Sequence, residues 1–165
     1  MSSISTRDAD AARRRRRLTT AIKESLRDLR NQLALLNHQV GARVELKDVD
    51  LDCLELIGRH GPLSPSALAR RAGLHPATVT GILDRLQRGG WVTRERDPDA
   101  SDRRAVAVRA LRDRSGELFR LYAGMNSAID QICDGYDDAE LELLADFLRR
   151  TTNAGRDATA ELAGD

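Results

Sequence analysis

Aromatic side chains make up only 3% of this chain: one Trp, two Tyr and two Phe. A core without large rings has to be filled by Leu, Ile, Val and Ala, which suits packed helices better than a sandwich of sheets. Cysteine is almost as scarce. Cys53 and Cys133 lie 80 residues apart, which excludes a disulfide framework or a cysteine metal cluster. Both read as small core residues, Cys53 on an apolar stripe and Cys133 beside Ile129 and Ile132. No apolar run approaches the roughly 20 residues of a membrane span, and no apolar segment follows the N-terminal arginines as a secretory signal requires. A soluble, cytoplasmic protein is expected. Gly-rich phosphate loops, Ser or Cys nucleophile motifs and metal-spaced carboxylate sets are missing as well. His38, His60 and His75 are too scattered for a ligand set. The chain therefore reads as non-catalytic, with no metal and no cofactor.

What is present is charge, unevenly placed. The 165 residues carry a net charge of +1. Residues 1–17 carry +4, residues 18–63 carry −1, residues 64–109 carry +4 and residues 110–165 carry −6. A basic middle beside an acidic C-terminal segment points to one face for a polyanion and another for a different task.

Along the chain, residues 1–12 are small and polar and are expected to be disordered. From Leu18 the apolar positions run through Ile22, Leu26, Leu29, Leu33, Leu36 and Val40 at steps of three and four. That is one stripe on a long helix, closed by Gly41. A stripe this narrow on a helix this long more often faces another helix than a small core. Val49, Cys53, Leu54, Leu56 and Ile57 mark a second helix, ended between Gly58 and Pro62.

The segment LSPSALARRAGLHPATVTGILDRLQRGGWV, residues 63–92, says the most. Ser64 is placed as an N-cap with Pro65 at the first helical position, and Gly73 ends that short helix. His75 then stands where a cap belongs, again with Pro76 behind it. Val79, Ile82, Leu83 and Leu86 form the buried face of the next helix, which stops at Gly89-Gly90. Two helices about a tight turn, the second apolar on one side only, make a helix-turn-helix. Trp91 to Arg94 read as a strand, residues 95–104 as a charged turn, and Ala105 to Arg109 as a returning strand with Val106 and Val108 on one face. A helix-turn-helix followed by a β-hairpin is a winged helix. Leu118, Leu121, Tyr122, Met125, Ile129 and Ile132 mark another long helix. Leu141, Leu144, Phe147 and Leu148 mark a last one, started near Asp137-Asp138.

This order of segments, the stretch GPLSPSALARRAGLHPATVTGILDRLQRGGWVTR and the turn DPDASDRRAV resemble the MarR family of bacterial transcriptional regulators over residues 18–150. The turn pattern, Asp-Pro followed by Asp-Arg-Arg before a strand, is the more specific part. The resemblance implies a mainly α fold with a winged helix-turn-helix lobe, a two-stranded wing, and N- and C-terminal helices forming a dimerisation domain. It implies a homodimer whose two lobes read a palindromic operator in double-stranded DNA, and a repressor of transcription. It also implies a small effector bound between the dimer helices and the lobes. On this basis residues 1–17 are a disordered basic arm, 18–43 a dimerisation helix, 44–110 the DNA-binding lobe and 111–162 the C-terminal dimerisation helices. Leu18, Ile22, Leu26, Leu29 and Leu33, with Leu141, Leu144 and Leu148, are the expected dimer contacts; Asn37, His38 and Arg43 are the polar residues placed near an effector. Three departures stand out. The wing is two residues longer than usual. Ala110-Leu111 replaces the usual Leu-Thr cap, so the following helix is expected to start near Asp113 or Ser115. Gly81 stands where a longer polar side chain is frequent.

Carried over to this chain, the recognition helix runs from His75 to Arg88, with Ala77, Thr78, Thr80, Gly81, Asp84, Arg85 and Arg88 facing outward. Ser64 and Ser66, at the entry of the preceding helix, join His75, Ala77, Thr78, Thr80, Arg85 and Arg88 as expected DNA contacts. Small residues at the N-terminus of such a helix can meet thymine methyls, yet no Arg, Asn or Gln is placed there for two-pronged base reading. Much of the specificity is therefore expected from groove width and deformability, read by the wing. Arg94, Arg96, Arg103 and Arg104 on the wing are suited to phosphates or a narrow minor groove, and Asp102 to bracing one of them. Arg13 to Arg17 could follow the DNA backbone, extend the dimer helix or be a solvated tail, the usual role of a charge run. Two other functions fit the same residues: a winged helix that binds proteins instead of DNA, given Gly81 and the small recognition residues, and a redox sensor acting through a cysteine.

Overall fold

The computed structural model describes residues 3–96 and 106–164, and the chain divides into two units, residues 1–118 and 119–165. Helix α1 spans Ser3–Val44, 42 residues. The arm expected to be disordered over residues 1–17 is thus helical from Ser3 onward. Ala9, Ala11, Ala12 and Arg13 to Arg17 are all strong helix formers, and extending a helix already nucleated costs far less than starting one. No apolar stripe marks this stretch, and every residue from Arg7 to Ser25 is exposed.

Gly41 does not close α1. The helix continues to Val44, and Glu45 takes the left-handed conformation at φ 57°. The Leu46 amide then donates back to the Gly41 carbonyl at 2.9 Å, the long bond of a Schellman turn. A Cβ on Gly41 would lie 2.6 Å from the Leu46 carbonyl oxygen. Glycine is required here for clearance under the returning chain.

Helix α2, Asp48–His60, buries Leu51, Cys53, Leu54 and Ile57. The chain turns at Gly61, at φ 72°. Helix α3 is Pro65–Ala72. The Ser64 hydroxyl accepts from the Ala67 amide at 3.2 Å, and left-handed Gly73 ends the helix. Helix α4 is Pro76–Arg88, and Nδ1 of His75 accepts from the Ala77 amide at 3.2 Å. Val79, Ile82, Leu83 and Leu86 form its buried side.

The two glycines after α4 have separate tasks. Gly90 adopts φ 72°, and its amide and that of Trp91 bond back to the Gln87 and Leu86 carbonyls. Gly89 has ordinary helical dihedrals, but a Cβ there would stand 2.7 Å from Cδ1 of Trp91. Trp91, 1% exposed, lies among Leu54, Ile57, Leu68, Val79, Leu83 and Val108 in one apolar cluster.

Strand β1, Val92–Arg96, pairs antiparallel with β2, Val106–Ala110, in the register Val92 to Ala110 and Arg94 to Val108. Leu63 bonds Val108 on the other side of β2, through bonds of 2.8 and 3.0 Å. Val108 is fully buried. Val106, expected on the same face, is exposed, because two residues further along the ribbon the core has ended, and Ala107 is buried instead. Helix α5, Arg112–Cys133, starts ahead of the expected Asp113 or Ser115. Leu111 cannot cap with its side chain, but its amide is bound to the Trp91 carbonyl at 2.9 Å and its own carbonyl accepts from Ser115. Arg114 is laid over the Trp91 ring, 4.3 Å from its centre, and donates twice to the Gly89 carbonyl.

In the second unit, α6 spans Asp138–Ala163 behind a capping box in which the Asp137 carboxylate accepts from the Glu140 amide and Glu140 reaches back. Among the described residues, α5 and α6 bury none fully. None of the described helices is long and apolar enough to cross a membrane.

Gly81 inside α4 and Gly89 just after it make opposite predictions. Gly89→Ala drives a methyl into a fixed indole and is expected to cost about 2 kcal/mol. Gly81→Ala meets only the Arg85 Nη1 at 3.7 Å and is expected to add up to about 1 kcal/mol of helix stability. Urea midpoints of the two variants check both signs.

Candidate nucleic-acid interface

Helix α4 presents its small residues outward. Ala77, Thr78 and Thr80 are exposed, and the Thr80 hydroxyl donates to the Pro76 carbonyl at 3.1 Å. His75 uses its ring nitrogen as the cap, and Ser64 does the same for α3 while approaching the exposed Ser66 hydroxyl at 3.1 Å. The surface at the start of both helices is thus held by side chains that are themselves polar and accessible.

The charged residues of α4 are placed less simply than an outward row. Arg85 turns to the side and clasps Asp50 of α2, Nε to Oδ2 at 3.1 Å and Nη2 to Oδ1 at 2.6 Å. Asp50 is 2% exposed, so the pair is half buried. The cause is the acid: a carboxylate taken out of water must have a counter-charge with matching geometry, and a guanidinium edge supplies both. This hydrogen bond pushes the Arg85 pKa up. Arg85 is therefore an arginine held against α2, with 37% of its side chain still exposed.

Arg94 is also engaged. Its guanidinium meets the Asp84 carboxylate of α4 at 2.6 Å, tying β1 to that helix. The register puts Arg94 on the same face of the ribbon as Val108, toward the core and α4. Arg109 pairs with Glu95 across the ribbon at 3.2 Å. Arg88 donates to the Asp84 carbonyl at 3.3 Å, and Arg96 is exposed. Among the described residues neither has a carboxylate partner. Asp102, Arg103 and Arg104 lie outside the described residues.

Asp50 was not among the residues singled out from the sequence, yet it left a signal. Positions 50, 53, 54 and 57 share one face of α2, and the other three are Cys53, Leu54 and Ile57. An acid inside an apolar row requires a buried cation.

Elsewhere in the first unit, a groove of about 430 Å3 between α2 and α3 is lined by Val49, Asp52, Cys53, Glu55, Leu56, Ala72 and Leu74. Asn37, His38 and Arg43 are not in it. His38 faces Asp48 at 3.3 Å, on the exposed side of the corner between α1 and α2. Cys53 is fully buried, and burial first, then the Asp50 and Asp52 carboxylates, push its thiol pKa up to about 11. A thiol so placed is the opposite of the exposed, low-pKa thiolate a sensor uses.

Comparisons with known proteins agree on one lineage. The model of the MarR family matches residues 46–106. The chain is 30% identical over 120 residues to the HTH-type transcriptional regulator YcgE of Bacillus subtilis, covering 72% of this chain and 77% of that one. It is 31% identical over 86 residues to the HTH-type transcriptional repressor YetL of the same organism, about half of each chain. Among solved structures, a MarR family protein from Bacillus stearothermophilus superposes with a TM-score of 0.64 at 18% identity, over 85% of this chain and 96% of that one. Streptococcus pneumoniae FabT, solved in complex with DNA, gives 0.65 at 19% identity, over 84% and 98%.

The raised thiol pKa of Cys53 has a signed consequence. Folding favours the protonated thiol, so its contribution is complete below the unfolded value of about 8.5 and is lost as pH rises through about 11. At pH 7.5 a thiol reagent is expected to label the half-exposed Cys133 first and Cys53 only on unfolding. Equal labelling rates in the native protein would contradict this burial.

Proposed function

The chain belongs to the MarR family of winged-helix transcriptional regulators, and from that premise we propose that it is a bacterial, cytoplasmic repressor that binds a palindromic operator as a homodimer. One observation carries the reading: α4 buries its apolar side completely and exposes Ala77, Thr78 and Thr80, while Arg88 in its last turn and Arg96 at the end of β1 have no acidic partners among the described residues. A helix of this kind fits a major groove, and guanidiniums that no described carboxylate neutralises suit phosphates. Ser64, Ser66 and His75 border the same surface. The sequence adds Arg103 and Arg104 for the wing, with Asp102 aiming one of them. The name of YetL supports the repressor role.

The dimer reading rests on apolar rows that each unit leaves open. On α1, Leu18 is 56% exposed, with Ile22, Leu29 and Leu33 also exposed and Leu26 half-buried. On α6, Leu148 is 50% exposed and Leu144 is exposed, while Leu141 is half-buried. Rows this apolar are unfavourable in water, and a second copy would cover them. An effector would act by preferring a lobe spacing that mismatches half-sites one helical turn apart. Asn37, His38 and Arg43 remain the residues proposed to meet it. The redox alternative finds no support at Cys53, which is buried and protonated.

Fluorescence anisotropy with a labelled duplex from the region upstream of its own gene tests DNA binding. Affinity is expected to fall steeply with salt, each phosphate contact contributing about −0.9 to the logarithmic slope. Arg103→Ala with Arg104→Ala is expected to weaken binding more than replacing Arg13 to Arg17. Salt-insensitive or absent binding to every fragment would sink the proposal. Sedimentation at micromolar concentration is expected to show a dimer, converted to monomer by Leu29→Lys with Leu33→Lys.

A further inference from the structure

Beyond the reading just given, and resting on it, we infer that Asp50, a residue of α2 away from the recognition surface, is a positioning residue for DNA binding that acts by aiming Arg85 at a backbone phosphate. The guanidinium has three donor nitrogens. Nε and Nη2 are spent on the two Asp50 oxygens, at 3.1 and 2.6 Å, which fixes the plane of the group. Nη1 has no hydrogen-bond partner among the described residues. It lies over Gly81, 3.7 Å from where that residue's Cβ would stand. At 100° per residue, Gly81 falls opposite the buried row of Val79, Ile82, Leu83 and Leu86. The third nitrogen thus lies toward the outward side of α4, where a side chain longer than a methyl at position 81 would crowd it, and the Arg85 side chain is 37% exposed.

A free arginine would have to give up rotamer freedom to make such a contact. This one is already immobilised by a carboxylate that the fold keeps out of water. The same pair also couples α2 to the placement of the recognition helix. It supplies a fixed cationic edge on a helix whose other outward residues are small. The contact is to phosphate, which all sequences share, so it contributes affinity and register without base discrimination.

The opposite role is equally physical: Asp50 could neutralise Arg85 and keep it from DNA. The two roles give opposite signs. Anisotropy titrations of the full chain against the upstream duplex, run over a salt series, compare wild type with Asp50→Asn, Arg85→Gln and the double variant. Positioning predicts about 10-fold weaker binding for each single variant, the loss of one charge-assisted contact. The salt slope is expected to shrink by about 0.9 in each, and the double variant to be no weaker than either. The loss is expected to be uniform across duplexes with altered half-sites. A merely structural role of Asp50 would lower the active fraction and leave the slope unchanged. Arg85→Lys, which keeps the charge but not the two-pronged geometry, is expected to behave like Arg85→Gln, and it decides the matter should Asp50→Asn not fold. Wild-type binding with Asp50→Asn unchanged or tighter, or with Arg85→Lys at wild-type strength, overturns this inference alone. No salt-dependent binding by the wild type overturns the DNA-binding proposal, and this inference with it.

Discussion

A single carboxylate taken out of water constrains the lobe. Asp50 is almost inaccessible, and removing its partner would leave a buried charge at a cost of about 3–5 kcal/mol. Helix α4 therefore cannot slide along or roll on α2 without breaking two hydrogen bonds at once. On its other flank Asp84 holds Arg94 of β1, a more exposed pair worth under about 1 kcal/mol. The helix is thus anchored firmly toward α2 and lightly toward the ribbon. Hydrophobic burial of Val79, Ile82, Leu83 and Leu86 supplies most of the cohesion. The ion pairs choose among the orientations that burial alone would permit.

The end of α4 is organised around one ring. The Trp91 amide donates to the Leu86 carbonyl, its carbonyl accepts from the Leu111 amide, and its ring lies beneath Arg114. Gly89 has to be small because the ring is there, and its carbonyl is then free to accept both Arg114 bonds. In a chain with so few aromatics, one tryptophan joins the last turn of α4, the first strand and the start of α5.

Much of this was legible in the sequence, for local reasons. Ser64-Pro65, His75-Pro76, Gly73 and Gly89-Gly90 are start and stop signals whose physics is complete within a few residues, and they placed α3 and α4 well. What escaped was of two kinds. The start of α1 has no apolar periodicity, so a helix made from propensity alone looked like a loose arm. Long-range partners were hidden too. Arg85 was set facing outward because the apolar row of α4 defines the inward side, and the residue that clasps it lies 35 positions earlier in the chain. Gly41 looked like a stop because glycine favours the left-handed position. The chain uses Glu45 there, and needs Gly41 for clearance from Leu46.

The lone tryptophan also makes the protein its own optical probe. With one indole per chain, tryptophan emission comes from a single site, and that site is where α4 meets the ribbon and α5. A cation above the ring and an apolar shell below it set the intensity and colour of that light. Any movement that lifts Arg114 off the ring, or lets water reach it, is therefore written into an unlabelled spectrum.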